Sequence, residues 1–125
     1  MAEFNIPACS DRSLSALSPL EQEISTLFAK RILERMGARV LAMRIFGSRA
    51  RGEAREDSDL DIWVLLDRAS LQDRNEISDI GTDLMLEMLF PFQVAPRVMS
   101  QQDYEQLRAL ERLFPRELEK DGIEL

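Results

Sequence analysis

Histidine is absent from this sequence of 125 residues, and cysteine occurs once, as Cys9. Without histidine, this chain alone can form no Ser-His-Asp or Cys-His catalytic arrangement, and no side chain has an ordinary pKa near neutrality. The single cysteine excludes an intramolecular disulfide, and without histidine the common Cys/His zinc patterns are excluded as well. An enzyme built from this sequence is therefore expected to use carboxylates and a metal ion.

Long apolar segments are also missing. The longest uninterrupted apolar run is Ile62 to Leu66, far short of the roughly 20 residues that span a bilayer. Residues 1–17 lack the basic start and apolar stretch of a signal peptide. The formal net charge of −7 argues against a general nucleic-acid binder and against binding to an anionic membrane. We therefore expect a cytoplasmic protein with no membrane partner.

The organisation of the chain indicates one domain, because a chain of this length buries enough surface for a single core. Residues 1–17 show no hydrophobic period and are predicted to form a flexible arm. From Ser18 onward, helical and strand patterns follow in the order helix, strand, strand, helix, strand, helix. This order predicts an α/β (α+β) domain over residues 18–125, with helices packed on one face of a small mixed sheet.

The predicted elements follow from capping residues and apolar spacing. The predicted helices begin after the capping residues Ser18, Ser70 and Ser100. The predicted strands run from Val40 to Phe46, from Asp59 to Leu66 and from Phe92 to Met99.

A polar segment after the first predicted strand contains residues suited to phosphate. Gly47 allows the backbone to approach a ligand closely, and Ser48 offers a hydroxyl just before a short predicted helix. Free N–H groups at such a helix start bind phosphate. Arg49, Arg51 and Arg55 add positive charge. The segment therefore predicts a phosphate cradle in an otherwise acidic protein.

Asp59 and Asp61 follow this cradle at the start of the second predicted strand. Residues two apart on a strand point to the same side, so the two carboxylates repel each other, and a divalent cation relieves that repulsion. Mg²⁺ takes a few carboxylate oxygens and completes its shell with water and substrate phosphates. The pair beside the cradle predicts metal-assisted phosphoryl or nucleotidyl transfer.

The minimal nucleotidyltransferases of the DNA polymerase β-like superfamily have a signature that this sequence resembles position by position. The matching residues are Gly47-Ser48-x-Ala50-Arg51-Gly52-x5-Ser58-Asp59-x-Asp61. The resemblance implies a nucleotidyltransferase fold in which Gly47 and Ser48 hold the phosphates of ATP and Arg49 or Arg51 assists electrostatically. It also implies that Asp59 and Asp61 are catalytic and bind two Mg²⁺. Many such domains are antitoxins that add AMP to a helical HEPN-type toxin, which the resemblance implies as the partner here, beside a possible homo-oligomer.

The third predicted strand departs from this pattern. Catalytic members of the superfamily usually carry a third acidic residue there, and this strand contains no Asp or Glu. By alternation, Gln93 or Ala95 occupies that position. Two hypotheses therefore stay open: a Mg²⁺-dependent enzyme that transfers a nucleoside monophosphate to a hydroxyl of a partner protein, or a catalytically impaired antitoxin that binds nucleotide or occludes its partner.

Overall fold

A computed structural model describes residues 12–110 and 113–125 of the chain. The helices are α1 (Pro19–Met36), α2 (Gly47–Arg51), α3 (Leu71–Met88), α4 (Gln101–Leu110) and α5 (Leu113–Asp121). The strands are β1 (Val40–Phe46), β2 (Leu60–Leu66), β3 (Val94–Ser100) and β4 (Ile123–Glu124), and short 3-10 turns cover Leu14–Ala16 and Gly37–Arg39. None of the helices in the described ranges has the length and apolar composition needed to cross a membrane.

The four strands form one mixed sheet in the order β3-β2-β1-β4. Strand β1 is antiparallel to β2 and β4, whereas β3 is parallel to β2. In this register Asp61 lies between Phe46 of β1 and Ala95 of β3. The sheet therefore places one residue of the predicted carboxylate pair near the end of a central strand.

The two long helices begin at the predicted capping residues. The Ser18 hydroxyl accepts a hydrogen bond from the Glu21 backbone N–H at 3.2 Å, and the Glu21 carboxylate accepts one from the Ser18 N–H at 2.8 Å. Ser70 and Asp73 make the same reciprocal pair at the start of α3. Both capping boxes satisfy backbone donors that the first helical turn leaves free.

Helices cover both faces of the sheet, and this differs from the expectation that they pack on one face. On one face, α1 and α3 contribute to a core with residues of β1 and β2, including Ile24, Phe28, Ile45, Ile62 and Ile77. On the other face, residues of β1, β2, β3, α4 and α5 form a second core: Ala42, Trp63, Leu65, Met99, Tyr104, Phe114 and Leu118. The physical reason is that Trp63 and Leu65 make the second face of β2 apolar beyond Asp61, and an apolar face must be buried.

The described part of the predicted arm contacts the domain. Leu17 is buried in the first core, and Leu14 packs against that core. Arg12 donates a hydrogen bond to the carbonyl oxygen of Ala50 in α2. Residues 1–11 lie outside the described residues, so the predicted flexibility of the arm stays a prediction there.

Candidate active site

The carboxylate of Asp61 lies directly against the backbone at the start of α2. Gly47 begins this helix with a φ of +76°, a conformation that favours glycine. A Cβ atom built on Gly47 would lie 2.3 Å from Oδ2 of Asp61 and 3.3 Å from its Cγ. The space that a side chain at position 47 would need is therefore filled by this carboxylate.

The two aspartates of the motif differ in exposure. Asp61 is half-buried in β2, whereas Asp59 precedes the strand and is exposed. Burial raises the pKa of the Asp61 carboxyl, and the charges of Asp59 and Glu117 raise it further, while Arg51 lowers it. The ionised form of Asp61 is thus disfavoured by its surroundings, and a bound cation would relieve this cost.

This donor set fits Mg²⁺ rather than a metal held by protein alone. In the described ranges, no three Asp, Glu, His or Cys side chains lie close enough together to hold a metal ion. A cation beside Asp59 and Asp61 would therefore need water and phosphate oxygens to complete its shell, which is the usual condition of Mg²⁺ in nucleotide sites.

Ser48 follows Gly47 in the first turn of α2 and is partly exposed. Its hydroxyl has no hydrogen-bond partner among the described residues. The Ser48 hydroxyl is therefore not committed to another described residue, and its phosphate contact stays a prediction.

Arg49 is buried, in contrast to its predicted role as a nucleotide ligand. Its guanidinium donates to the backbone carbonyl oxygens of Arg55, Glu56 and Ser58 at 2.7 to 3.2 Å. It also donates to Glu21 at 3.0 Å and lies 3.8 Å from the centre of the Phe92 ring. Each guanidinium nitrogen is thus already bonded to the loop before β2 or to α1, so Arg49 supports the site from within the fold.

Arg51 is the motif arginine whose charge acts on Asp61. Its Nε donates to Glu53 at 3.0 Å, and its Nη1 donates to Glu117 at 2.8 Å. Arg51 is partly exposed, and its charge lowers the pKa of Asp61. A positive charge therefore lies near the carboxylate pair, although two glutamates already balance it.

The register of β3 decides between the two candidates for the third acidic position. Ala95 is the parallel neighbour of Asp61. Gln93 precedes β3, is exposed, and uses its backbone carbonyl to accept a hydrogen bond from Leu60 at 2.8 Å. The position next to Asp61 on the third strand is therefore occupied by the methyl group of Ala95, which can neither bind a cation nor accept a proton.

Comparison with known proteins shows which family has this fold and motif. Residues 22–124 match the family described as "Polymerase beta, Nucleotidyltransferase". The chain belongs to this nucleotidyltransferase family. A solved structure described as a minimal nucleotidyltransferase is similar to this chain with a TM-score of 0.51 and 26% sequence identity, and the match covers 93% of this chain and 99% of that one. No curated protein shows a significant match. The predicted superfamily and fold are therefore confirmed.

Helix α5 of this nucleotidyltransferase-family domain packs beside the site, and the sequence did not predict its contacts there. The Phe114 ring packs edge-on against Phe46, with 5.1 Å between the ring centres. The Arg97 guanidinium lies 3.8 Å from the centre of the same Phe114 ring. Glu117, one turn further along α5, binds Arg51 across 66 positions of sequence. No local pattern signals a contact between residues so far apart.

Proposed function

We propose that this domain binds a nucleoside triphosphate with Mg²⁺ and transfers the nucleoside monophosphate, AMP from ATP, to a hydroxyl of a partner protein. The observation that carries the proposal is the contact between the Asp61 carboxylate and the Gly47 backbone. This contact joins the residues proposed to bind metal to those proposed to bind phosphate, and it supports the proposal in a chain that belongs to the nucleotidyltransferase family.

Each proposed role follows from a position in the site. Asp59 and Asp61 would hold Mg²⁺, with two ions in the fully active form, and bound Mg²⁺ supplies positive charge to the reacting phosphate oxygens. The Ser48 hydroxyl and the backbone at Gly47 would bind the phosphates. Arg51 would contact the same phosphates as a fixed charge.

The proposed reaction is a displacement at the α-phosphorus of ATP. The acceptor oxygen forms a bond to the α-phosphorus. The bond between the α-phosphorus and the oxygen that bridges the α- and β-phosphates breaks. Pyrophosphate leaves with the electrons of the broken bond. The proton of the acceptor hydroxyl passes to water, because Ala95 offers no base where the third acid would stand.

The proposed acceptor is a HEPN-type toxin in the cytoplasm, for which the domain would act as an antitoxin. The support for this partner is the family resemblance of the motif residues alone. The alternative partner that we propose is a second copy of this chain, which would supply the protein surface beside the site in a homo-oligomer.

A second function is favoured by one specific observation, the presence of Ala95 beside Asp61. A site with two carboxylates and no acid on the third strand can bind a nucleotide without efficiently activating an acceptor hydroxyl. The second proposal is therefore an antitoxin of this fold that binds nucleotide and occludes its partner without modifying it.

Label transfer separates the two proposals. The protein is incubated with Mg²⁺, a HEPN-type toxin and ATP labelled at the α-phosphate, with the Asp59→Asn, Asp61→Asn double variant as control. The enzyme proposal expects label on the toxin from the wild type and none from the variant. Tight binding of the toxin without label transfer would instead support the occluding antitoxin.

A further inference from the structure

The guanidinium of Arg51 is held at two of its three nitrogens. Nε is bound to Glu53 and Nη1 to Glu117, while Nη2 has no hydrogen bond among the described residues. A guanidinium tethered in this way cannot rotate freely and presents its remaining donors in one direction. Arg51 is therefore preorganised for a further anionic ligand.

The two tethers of Arg51 differ in how firmly the fold holds the glutamate. Glu53 is two residues from Arg51 and 66% exposed, so water competes strongly for it. Glu117 is 35% exposed and belongs to a different element, α5. Phe114 and Leu118 anchor that helix in the second core. The rigid tether of Arg51 is thus the one from α5.

We propose that Glu117 is a positioning residue that holds Arg51 for the phosphates of the bound nucleotide. The inference rests on the proposed function, because it assigns α5 a task in the same nucleotide site. Protein kinases use a comparable arrangement, in which a glutamate of one helix holds the lysine that contacts the ATP phosphates. A fixed cation loses less conformational freedom on binding than a free one, so the tether strengthens nucleotide binding.

The test replaces Glu117 by its neutral isostere. Glu117→Gln leaves Arg51 charged but weakly held, and we expect the affinity for ATP with Mg²⁺ to fall by up to about tenfold, which is the cost of ordering one mobile side chain on binding. The affinity for AMP falls less, because AMP has fewer phosphate oxygens for Arg51. Where transfer is measured, the KM for ATP rises more than kcat falls. Calorimetric titration with each nucleotide gives these affinities.

Glu119→Gln is the matched control, because it makes the same charge change on the same helix, where Glu119 pairs with Arg108 at 3.8 Å. We expect this variant to bind ATP within about twofold of the wild type, as for most exposed ion pairs. Thermal unfolding of both variants verifies that α5 stays folded.

Arg51→Gln and the double variant Arg51→Gln, Glu117→Gln complete the test. A residue that acts only through Arg51 has no further effect on ATP binding once Arg51 is replaced. The inference is overturned if Glu117→Gln binds ATP as well as Glu119→Gln or more tightly. It is also overturned if Glu117→Gln weakens binding equally with and without Arg51. If the wild type binds no ATP with Mg²⁺, the proposed function itself fails and the inference fails with it.

Discussion

At the residue scale, two glycines with similar backbones have different neighbours. Gly47 and Gly52 have φ values of +76° and +72°. A Cβ on Gly47 would overlap the Asp61 carboxylate, whereas a Cβ on Gly52 would meet no atom within 4 Å. Gly52 is thus needed only for its conformation, and Gly47 is needed for its conformation and for the space that Asp61 fills.

Alanine substitution separates these two requirements. Gly52→Ala is expected to cost about 1 to 2 kcal/mol, the penalty of a left-handed residue with a Cβ. Gly47→Ala pays the same penalty and also displaces the Asp61 carboxylate, so it should lower stability further and abolish Mg²⁺-dependent nucleotide binding. Denaturant unfolding and nucleotide titration of both variants measure this. Equal stability and equal binding in the two variants would show that Asp61 does not depend on the space at Gly47.

The buried pair of Arg49 and Glu21 predicts a loss of stability rather than a loss of charge at the site. The two side chains are 8% and 12% exposed and lie 3.0 Å apart. Arg49→Gln leaves Glu21 and several loop carbonyls without a charged donor, and we expect it to cost about 3 kcal/mol in the free energy of unfolding. Urea denaturation beside Arg55→Gln, an exposed arginine of the same motif segment, tests this. A cost equal to that of the Arg55 variant would contradict the structural role of Arg49.

At the element scale, the features that the sequence predicts best are those set by neighbouring residues. The caps of α1 and α3 join residues three positions apart, so Ser18 and Ser70 could be predicted as capping residues from the sequence. The position of a strand end depends on pairing with a distant strand, and β3 begins at Val94 rather than at the predicted Phe92. The alternation of β2 correctly placed Asp61 and Trp63 on one face, but it could not show that α4 and α5 cover that face.

The contacts of the site also differ in how far they can be predicted from neighbouring residues. Asp61 and Gly47 belong to one continuous motif, and their contact across 14 positions follows from an antiparallel β1-β2 pair. The buried position of Arg49 and the approach of Glu117 depend on how α1 and α5 pack, which no local pattern contains. Spacing therefore places the Asp61 carboxylate beside Gly47, whereas tertiary packing decides which arginine is buried.

The start of α3 predicts how stability depends on pH. Arg39 donates to Asp73 at 2.7 Å, and this bond, with the capping contacts of Ser70, holds the pKa of the Asp73 carboxyl well below its ordinary value of 3.8. A depressed carboxyl pKa contributes stability that is present above the ordinary value and is lost as the pH falls below it.

Asp73→Asn should therefore lower Tm at neutral pH and flatten the fall of Tm as the medium is acidified below the ordinary Asp pKa. Asp79→Asn, at an exposed position of the same helix, is the control. Thermal unfolding across this acid range provides the measurement. Parallel acid profiles for the Asp73 variant and the wild type would show that the Arg39 contact contributes nothing.

At the scale of the whole molecule, the motif segment is less positive than the predicted phosphate cradle, because glutamates neutralise two of its arginines. The chain has a formal net charge of −7. Two arginines of the motif are already paired, Arg49 with Glu21 and Arg51 with Glu53 and Glu117. Asp59 and Asp61 add further negative charge at the same place. We therefore expect a nucleoside triphosphate without a cation to be repelled, so that its binding depends on Mg²⁺.

Calorimetric titration of ATP into the protein, with Mg²⁺ and with the metal removed by a chelator, measures whether nucleotide binding depends on the cation. We predict that the wild type binds ATP only with Mg²⁺ and that Asp61→Asn does not bind it. Because burial and nearby carboxylates raise the pKa of Asp61, its charge is unfavourable in the fold without metal, so this variant should unfold at the same or a higher temperature. ATP binding that is equally tight without Mg²⁺, or unchanged in Asp61→Asn, would show that the Asp59 and Asp61 carboxylates do not bind the nucleotide through Mg²⁺.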